Sequence, residues 1–283
     1  MTKRTVITNP WQLLRRFTSA RIALGRTGTS LPTAVQLDFQ LAHARARDAV
    51  HQMLDTEKVA QALTDCGVSQ QNACITLSSV AETRDSYLQR PDFGRKLSPS
   101  SRQILEILSV PLNDSTAKKT ETHQRPYDLA FVIADGLSAL AIEQNAATFL
   151  ATLMPIIKDE NWSTAPFTIV RHGRVAIGDE IGELLGAKIV VVLIGERPGL
   201  SSPDSMGLYL TWQPHVGLTD ESRNCISNIR PDGLSYADAA GKLHYLLSEA
   251  FKRQLTGIRL KDDTAINNAT PGLLERNFLI EKE

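Results

Sequence analysis

The sequence has few cysteines, no excess of charge and no long apolar run. Its three cysteines, Cys66, Cys74 and Cys225, show no C-x-x-C spacing, which excludes a disulfide framework and a zinc site of that kind. Lys plus Arg equals Asp plus Glu at 31 each, so no overall field gathers nucleic acid or an anionic membrane. No stretch approaches the roughly 18 apolar residues of a membrane span, and the start lacks a secretory signal. These absences predict a cytoplasmic protein without nucleic-acid or membrane partners.

Several enzyme signatures are also absent. The segment GRTG at residues 25–28 lacks the spacing of G-x-G-x-x-G, and neither a G-x-x-x-x-G-K-[ST] loop nor a G-x-S-x-G elbow occurs. The histidines show no H-E-x-x-H or comparable metal-ligand spacing. Asp179 and Glu183 lie one helical turn apart, which is typical of a solvated helix face. These patterns predict no catalytic residue and no metal site on this chain.

Apolar periodicity divides the chain into regions. Residues 11–22 and a longer segment from Thr33 carry apolar positions at helical intervals, while residues 73–80 (ACITLSSV) suit a strand or a turn and strand. Residues 118–125 (KKTETHQR) form the most polar connector and predict a domain boundary. The predicted divisions are a mainly helical N-terminal region (1–120), an α/β domain (121–262) and a flexible tail (263–283).

Short continuous apolar runs follow the connector, each before a turn. They are residues 127–134 (YDLAFVIA), 166–170 (PFTIV) and 188–195 (KIVVVLIG). Such runs are typical of strands buried on both faces, so three β-to-α units in succession predict an α/β fold with a Rossmann-like parallel sheet and flanking helices. Residues 206–212 (MGLYLTW) are compatible with a further strand.

Loops at the carboxyl ends of parallel strands are the expected place for a ligand. This rule selects residues 135–138 (DGLS), 172–175 (HGRV) and 195–199 (GERPG), each with a glycine and a polar side chain. Each loop taken alone is more simply a well-made turn, but their convergence on one edge favours a site. Cys225 has no neighbouring base and, on the residues alone, is more simply a buried, inert thiol.

Eight segments stand in order between Trp11 and Leu260: 20–30 (ARIALGRTGTS), 37–50 (LDFQLAHARARDAV), 90–95 (RPDFGR), 134–139 (ADGLSA), 171–175 (RHGRV), 181–188 (IGELLGAK), 195–200 (GERPGL) and 224–230 (NCISNIR). In this combination they resemble the small-subunit family of ethanolamine ammonia-lyase. The set is specific, although each segment alone would be a weak signal.

The resemblance implies a hexamer of large and small subunit pairs that converts ethanolamine to acetaldehyde and ammonia with adenosylcobalamin. In that family the large subunit carries the catalytic site, and the small subunit closes over the cobalamin from the other side. Carried over residue by residue, the family's cofactor contacts fall on Val175, Glu196 and Cys225. Some members carry a longer N-terminal extension thought to direct the complex into a bacterial microcompartment, which leaves encapsulation of this chain open.

Two other functional interpretations of the sequence stay open. A free-standing α/β module would bind a nucleotide or another small ligand at the same loop edge. A purely structural subunit would stabilise the large subunit without touching the cofactor. Binding measurements with cobalamin and with nucleotides discriminate among the three.

Overall fold

Buried strands and amphipathic helices alternate along the computed structural model, which describes residues 9–69, 74–109 and 126–262. The α-helices of these residues are α1 (Thr33–His51), α2 (Thr56–Asp65), α3 (Arg84–Gln89), α4 (Pro99–Ser109), α5 (Ala139–Lys158), α6 (Ile177–Leu185) and α7 (Tyr236–Arg253). The strands are β1 (Ile75–Ser78), β2 (Tyr127–Ala134), β3 (Thr168–Arg171), β4 (Ala187–Gly195), β5 (Met206–Trp212) and β6 (Arg223–Ile229). Short 3-10 helices cover Pro10–Arg16, Phe93–Arg95, Asp220–Ser222 and Gly257–Arg259. The predicted connector at 118–125 and tail at 263–283 lie outside the described residues.

The strands form one mixed sheet in the order β1-β3-β2-β4-β5-β6. Strands β3, β2 and β4 pair in parallel, as the three β-to-α units predict, and β1 adds a fourth parallel strand, whereas β5 runs antiparallel to both of its neighbours. The expectation of a wholly parallel sheet is therefore corrected. The reason is the connection between β4 and β5, residues 196–205, which contains no crossover helix and so returns the chain in the opposite direction.

The N-terminal region is less helical than its periodicity predicts. Helix α1 begins at Thr33 as expected, but the helix predicted over residues 11–22 is only the 3-10 turn Pro10–Arg16, none of whose residues is buried. An isolated short helix gains little without an apolar surface to pack against, which accounts for the difference. Strand β1 comes from this region and pairs with β3 at the edge of the sheet.

Helices cover both faces of the sheet. Alternate residues of β2 point to opposite sides, so Leu129, Phe131 and Ile133 pack with α2, α5 and α7, while Ala130 and Val132 pack with α4 and α6. The smaller side chains on the second side let α6 lie close to β4. A Cβ on Gly178 of α6 would lie 2.3 Å from Val192.

Helix α5 is the central helix of the larger core. Its length and apolar composition alone would suit a membrane span, but half of its most apolar 18-residue stretch is buried within the protein. Phe149, Leu150 and Leu153 are all fully buried against the sheet and its neighbours. Ser138 caps its first turn by accepting a hydrogen bond from the Ala141 N–H at 3.2 Å. This helix therefore belongs to the core of the α/β fold.

Candidate functional site

Two of the three loops selected from the sequence are joined to each other. The Asp135 carboxylate, after β2, accepts hydrogen bonds from the N–H groups of His172 and Gly173, after β3, each at 2.9 Å. Arg84 of α3, whose side chain is 6% exposed, pairs with the same carboxylate at 3.1 Å. Burial raises the pKa of Asp135, while Arg84 and the two N–H groups lower it. This Asp135 cluster fixes the position of both loops and leaves the carboxylate little capacity for a ligand.

The loop DGLS is closed by contacts within the protein. Gly136 has φ +56°, and a Cβ there would lie 2.2 Å from the carbonyl oxygen of Gly195. The same oxygen accepts a hydrogen bond from the Leu137 N–H at 2.9 Å, and the Ser138 hydroxyl donates to the Pro203 carbonyl at 2.7 Å. The N–H groups of Leu137, Ser138 and Ala141 at the start of α5 therefore already have partners within the protein. For this loop the simpler interpretation, a well-made turn, is correct.

Glu196 follows β4, and its carboxylate lies over Gly207 of β5. Its Oε2 accepts hydrogen bonds from the Ser205 hydroxyl at 2.5 Å and from the Asn228 N–H at 3.3 Å. A Cβ on Gly207 would lie only 2.9 Å from Oε1, so the glycine makes room for the carboxylate. Within the described part of the chain, Oε1 accepts no hydrogen bond. Glu196 is thus fixed through one oxygen and keeps the other available as an acceptor.

Cys225 lies on β6, directly opposite Tyr209 of β5, and its thiol is exposed. The interpretation as a buried thiol is therefore wrong, because α6 packs over β2 and β4 and leaves this side of β6 uncovered. Burial raises the pKa of Tyr209, and so do the thiol of Cys225 and the carboxylate of Glu196. The phenol accordingly stays protonated between these two groups and can donate a hydrogen bond.

Val175 lies just before α6 and is half-buried. It packs against the same apolar cluster as Tyr209, on the α6 side of the sheet. Glu196 and Cys225 are on this side too, since Glu196 lies over Gly207 and Cys225 faces Tyr209. The structure therefore places all three residues predicted from the sequence on one side of the sheet. We call Val175, Glu196, Tyr209 and Cys225 the open face.

Two residues near the open face, Asp179 and Tyr209, were not correctly predicted from the sequence. Asp179 is not solvated as its spacing suggested, because it is buried and forms an ion pair with Arg223 of β6, with side-chain exposures of 3% and 2%. Burial raises the pKa of Asp179 to about 6. Tyr209 was also missed, although the alternation in MGLYLTW places it with Gly207 and Thr211 on the side opposite the larger core.

Across residues 9–69, 74–109 and 126–262, no cluster of three or more His, Cys, Asp or Glu side chains is arranged to hold a metal ion.

Comparison with known proteins identifies the family. Residues 8–261 match the family model described as ethanolamine ammonia-lyase light chain (EutC). The chain belongs to this family. Its light-chain relatives include the ethanolamine ammonia-lyase small subunit of Pseudomonas fluorescens, 53% identical over 276 residues, which are 96% of this chain and 95% of the relative. The small subunit from Pseudomonas syringae pv. tomato is 56% identical over 259 residues, or 92% and 85% of the two chains. The one from Ralstonia nicotianae is 52% identical over 280 residues, or 99% and 97%.

Membership of the light-chain family confirms the resemblance seen in the sequence motifs. It makes the chain a subunit of a lyase, and the term small subunit implies a large-subunit partner. The match spans all six strands, so the open face lies within the unit that light chains share.

Proposed function

We propose that the chain is the small subunit of an adenosylcobalamin-dependent ethanolamine ammonia-lyase, which converts ethanolamine to acetaldehyde and ammonia. In this proposal the Rossmann-like group of parallel strands is the scaffold, and the open face forms one wall of the cobalamin site. The large subunit supplies the other wall and the catalytic groups. The observation that carries the proposal is the free Oε1 of Glu196 on the same uncovered side of the sheet as the exposed thiol of Cys225.

The open face fits cobalamin by its chemistry. The corrin ring is a broad disc with amide groups around its rim, so it needs a wide surface with a few oriented donors and acceptors. Glu196 Oε1 suits an amide N–H and the Tyr209 hydroxyl suits an amide carbonyl. Cys225 is small and exposed, while Val175 offers an apolar contact. When bound, cobalamin supplies the cobalt–carbon bond homolysis that begins radical chemistry.

The residues of this chain bind and orient the cofactor in this proposal and exclude water from it. Glu196 is positioned for that role because Ser205 and Asn228 hold its second oxygen. The Asp135 cluster anchors the loop that leads to Val175 through the N–H groups of His172 and Gly173. Preorganised contacts of this kind reduce the entropy that is lost when a ligand binds.

Assembly with the large subunit is the second half of the proposal. Large apolar side chains are exposed mostly in the N-terminal region, at Trp11, Leu13, Phe17, Leu37, Phe39 and Met53 among others. Exposed apolar surface of this extent marks interaction sites. We assign the region 1–120 to assembly, in a hexamer of large and small subunit pairs, and the region 121–262 to the cofactor. We place the complex in the cytoplasm, within a microcompartment where the organism builds one.

The nucleotide-binding alternative has less support. A phosphate bound at the start of α5 would need free N–H donors, and three of those there, on Leu137, Ser138 and Ala141, already have partners within the protein. The structural-subunit alternative makes a different prediction, namely that changes at Glu196 leave cofactor affinity intact.

Reconstitution with a cognate large subunit tests the proposal. Acetaldehyde formation should require this chain, cobalamin and the large subunit together. In the assembled complex, Glu196→Gln and Glu196→Ala should weaken cobalamin binding by about tenfold, because an amide N–H loses its charged acceptor. Glu160→Gln, at an exposed residue just after α5, is the matched control. Full activity without the chain would refute the proposal, and unchanged affinity in an intact complex would leave only the structural subunit.

A further inference from the structure

Strand β6 carries a β-bulge at the point where it passes Glu196. The register between β5 and β6 shifts at Gly207, which faces two residues of β6, Ser227 and Asn228, instead of one. Asn228 has φ +62°, in the left-handed region, which residues other than glycine rarely adopt. Bulges and strained backbone are over-represented next to functional sites, where they redirect a group. The redirected group here is the Asn228 N–H, which donates to Oε2 of Glu196 at 3.3 Å.

Two donors from different segments fix Oε2 of Glu196. The Ser205 hydroxyl, just before β5, donates at 2.5 Å, and Ser205 is only 4% exposed. The second donor is the Asn228 N–H on β6. In a regular antiparallel ladder an N–H either pairs with the neighbouring strand or points away from it, so the bulge is what makes this donor available to a side chain. The orientation of Glu196 therefore depends on the conformation of the bulge.

Arg230 holds the bulge from behind. Its side chain is 8% exposed, and its Nε donates to Oδ1 of Asn228 at 3.1 Å. The Asn228 carbonyl accepts a hydrogen bond from the Leu234 N–H at 2.7 Å. The close return of the chain needs Gly233, where a Cβ would lie 2.3 Å from that carbonyl oxygen and 2.9 Å from Cγ of Arg230. Asn228 is thus held by its side chain and its carbonyl, with its N–H directed at Glu196.

The second partner of Arg230 is anchored in the larger core. Nη1 of Arg230 lies 3.4 Å from the carboxylate of Asp204. The Asp204 carbonyl accepts a hydrogen bond at 2.8 Å from Asn145 of α5, which is 1% exposed and itself accepts one from the Tyr236 hydroxyl at 2.7 Å. Buried networks whose members are paired are rigid. Arg230 therefore connects the bulge to a fixed part of the fold.

We propose that Arg230 is a positioning residue for the cofactor site, which holds the β6 bulge so that the Asn228 N–H fixes Glu196. The inference rests on the proposed cofactor role of Glu196. Arg230 acts in this role through Asn228 and not by contact with the cofactor. The alternative is a purely structural residue that stabilises the fold through Asp204. Only a positioning residue loses its effect on cofactor affinity when the carboxylate of Glu196 is removed.

A double-mutant cycle in the complex with the large subunit separates the two roles. Dissociation constants of hydroxocobalamin are measured by absorbance for the wild type, Arg230→Gln, Glu196→Ala and the double variant. Arg253→Gln, which removes an ion pair with Glu249 of α7 on the other side of the sheet, is the matched control. We expect Arg230→Gln to weaken binding about fivefold, the conservative Arg230→Lys to weaken it less and Arg253→Gln to leave it unchanged. In the Glu196→Ala background, Arg230→Gln should have no further effect.

The left-handed conformation of Asn228 provides a second test. Alanine disfavours φ +62°, whereas glycine adopts it freely. Asn228→Ala should therefore weaken hydroxocobalamin binding about threefold more than Asn228→Gly, although both variants lose the same side-chain hydrogen bond. Gln254, which ends α7 with φ +56°, is the matched control, and its alanine and glycine variants should bind hydroxocobalamin equally.

An equal loss from Arg230→Gln in both backgrounds, or no loss in either, overturns the inference. An Asn228→Gly variant that binds no better than Asn228→Ala also overturns it, because the bulge conformation would then be unimportant. In these cases the weaker binding of Glu196→Ala remains, and the proposed function stands. If Glu196→Ala binds hydroxocobalamin as tightly as the wild type, the proposed function fails and the inference fails with it.

Discussion

Tyr209 of β5 and Cys225 of β6 face each other directly across the antiparallel pair. The phenol is half-buried and stays protonated, whereas the thiol is exposed. The pair lies where α6 no longer covers the sheet, so the two strands have one side in the larger core and the other uncovered. Because the Cys225 thiol is exposed on this uncovered side, its chemical modification can test the proposed cofactor surface.

Cofactor binding should protect Cys225 from alkylation. In the complex with the large subunit, we expect cobalamin to slow the reaction of Cys225 with iodoacetamide several-fold, because the corrin would cover the thiol. Cys66, which is exposed at the end of α2, should react at the same rate with and without cobalamin. Peptide mass spectrometry measures both rates in one sample. Equal rates at Cys225 with and without cobalamin would count against the open face as a cofactor surface.

Gly207→Ala should displace Glu196 without unfolding the protein. The new methyl would lie 2.9 Å from Oε1 and 3.3 Å from Cγ of Glu196, so the carboxylate must move away from Ser205 and Asn228. We expect weaker cobalamin binding by several-fold and a loss of about 1 kcal/mol in the free energy of unfolding, since only a flexible side chain is disturbed. Titration and urea unfolding measure the two effects.

The control for this variant is Gly241→Ala in α7, where a Cβ meets nothing within 4 Å. It should stabilise the helix by about 0.5 to 1 kcal/mol and leave cofactor affinity unchanged. A Gly207→Ala variant that binds cobalamin normally would show that the orientation of Glu196 is unimportant.

Sequence patterns predict the centre of the fold well. The runs YDLAFVIA and KIVVVLIG become β2 and β4, because continuous apolar residues suit strands covered on both faces. Strand β6 was missed, since RNCISNI has polar residues on its uncovered side and no continuous apolar run. The antiparallel direction of β5 was not predicted either. It depends on whether residues 196–205, between β4 and β5, contain a crossover helix, and their sequence does not indicate that they lack one.

The candidate site is only partly readable from the sequence. The rule that ligands bind beyond the carboxyl ends of parallel strands selects the loop that holds Glu196. It equally selects the loop DGLS, which is closed by hydrogen bonds within the protein. Which loop stays open depends on contacts with Gly195 and Pro203, distant in sequence from Ser138. The pairing of Asp179 with Arg223 likewise joins a helix to a strand that local patterns do not connect. The choice of Val175, Glu196 and Cys225 came from the family resemblance and remains a prediction.

Replacing Arg223 should leave the buried carboxylate of Asp179 without its ion-pair partner. In Arg223→Met, Asp179 loses its guanidinium partner in a site where its side chain is 3% exposed. We expect a loss of about 3 kcal/mol in the free energy of unfolding at neutral pH, measured by urea unfolding of the full chain. The double variant Arg223→Met with Asp179→Leu should recover most of that loss, because apolar groups of similar size replace a buried pair at little cost. If the single variant unfolds like the wild type, the ion pair does not stabilise the fold.

The titration of Asp179 should appear in the pH dependence of stability. Burial raises its pKa to about 6 from an ordinary value of 3.8. The folded chain therefore binds this proton more tightly than the unfolded chain, so the stabilising contribution is complete below about pH 4 and is lost as the pH rises to about 6. We expect the free energy of unfolding of the wild type, minus that of Asp179→Asn, to fall across this range and to stay constant above it. Urea unfolding of both proteins at a series of pH values measures the difference. A difference that rises with pH would mean that Arg223 outweighs burial and holds the pKa below its ordinary value.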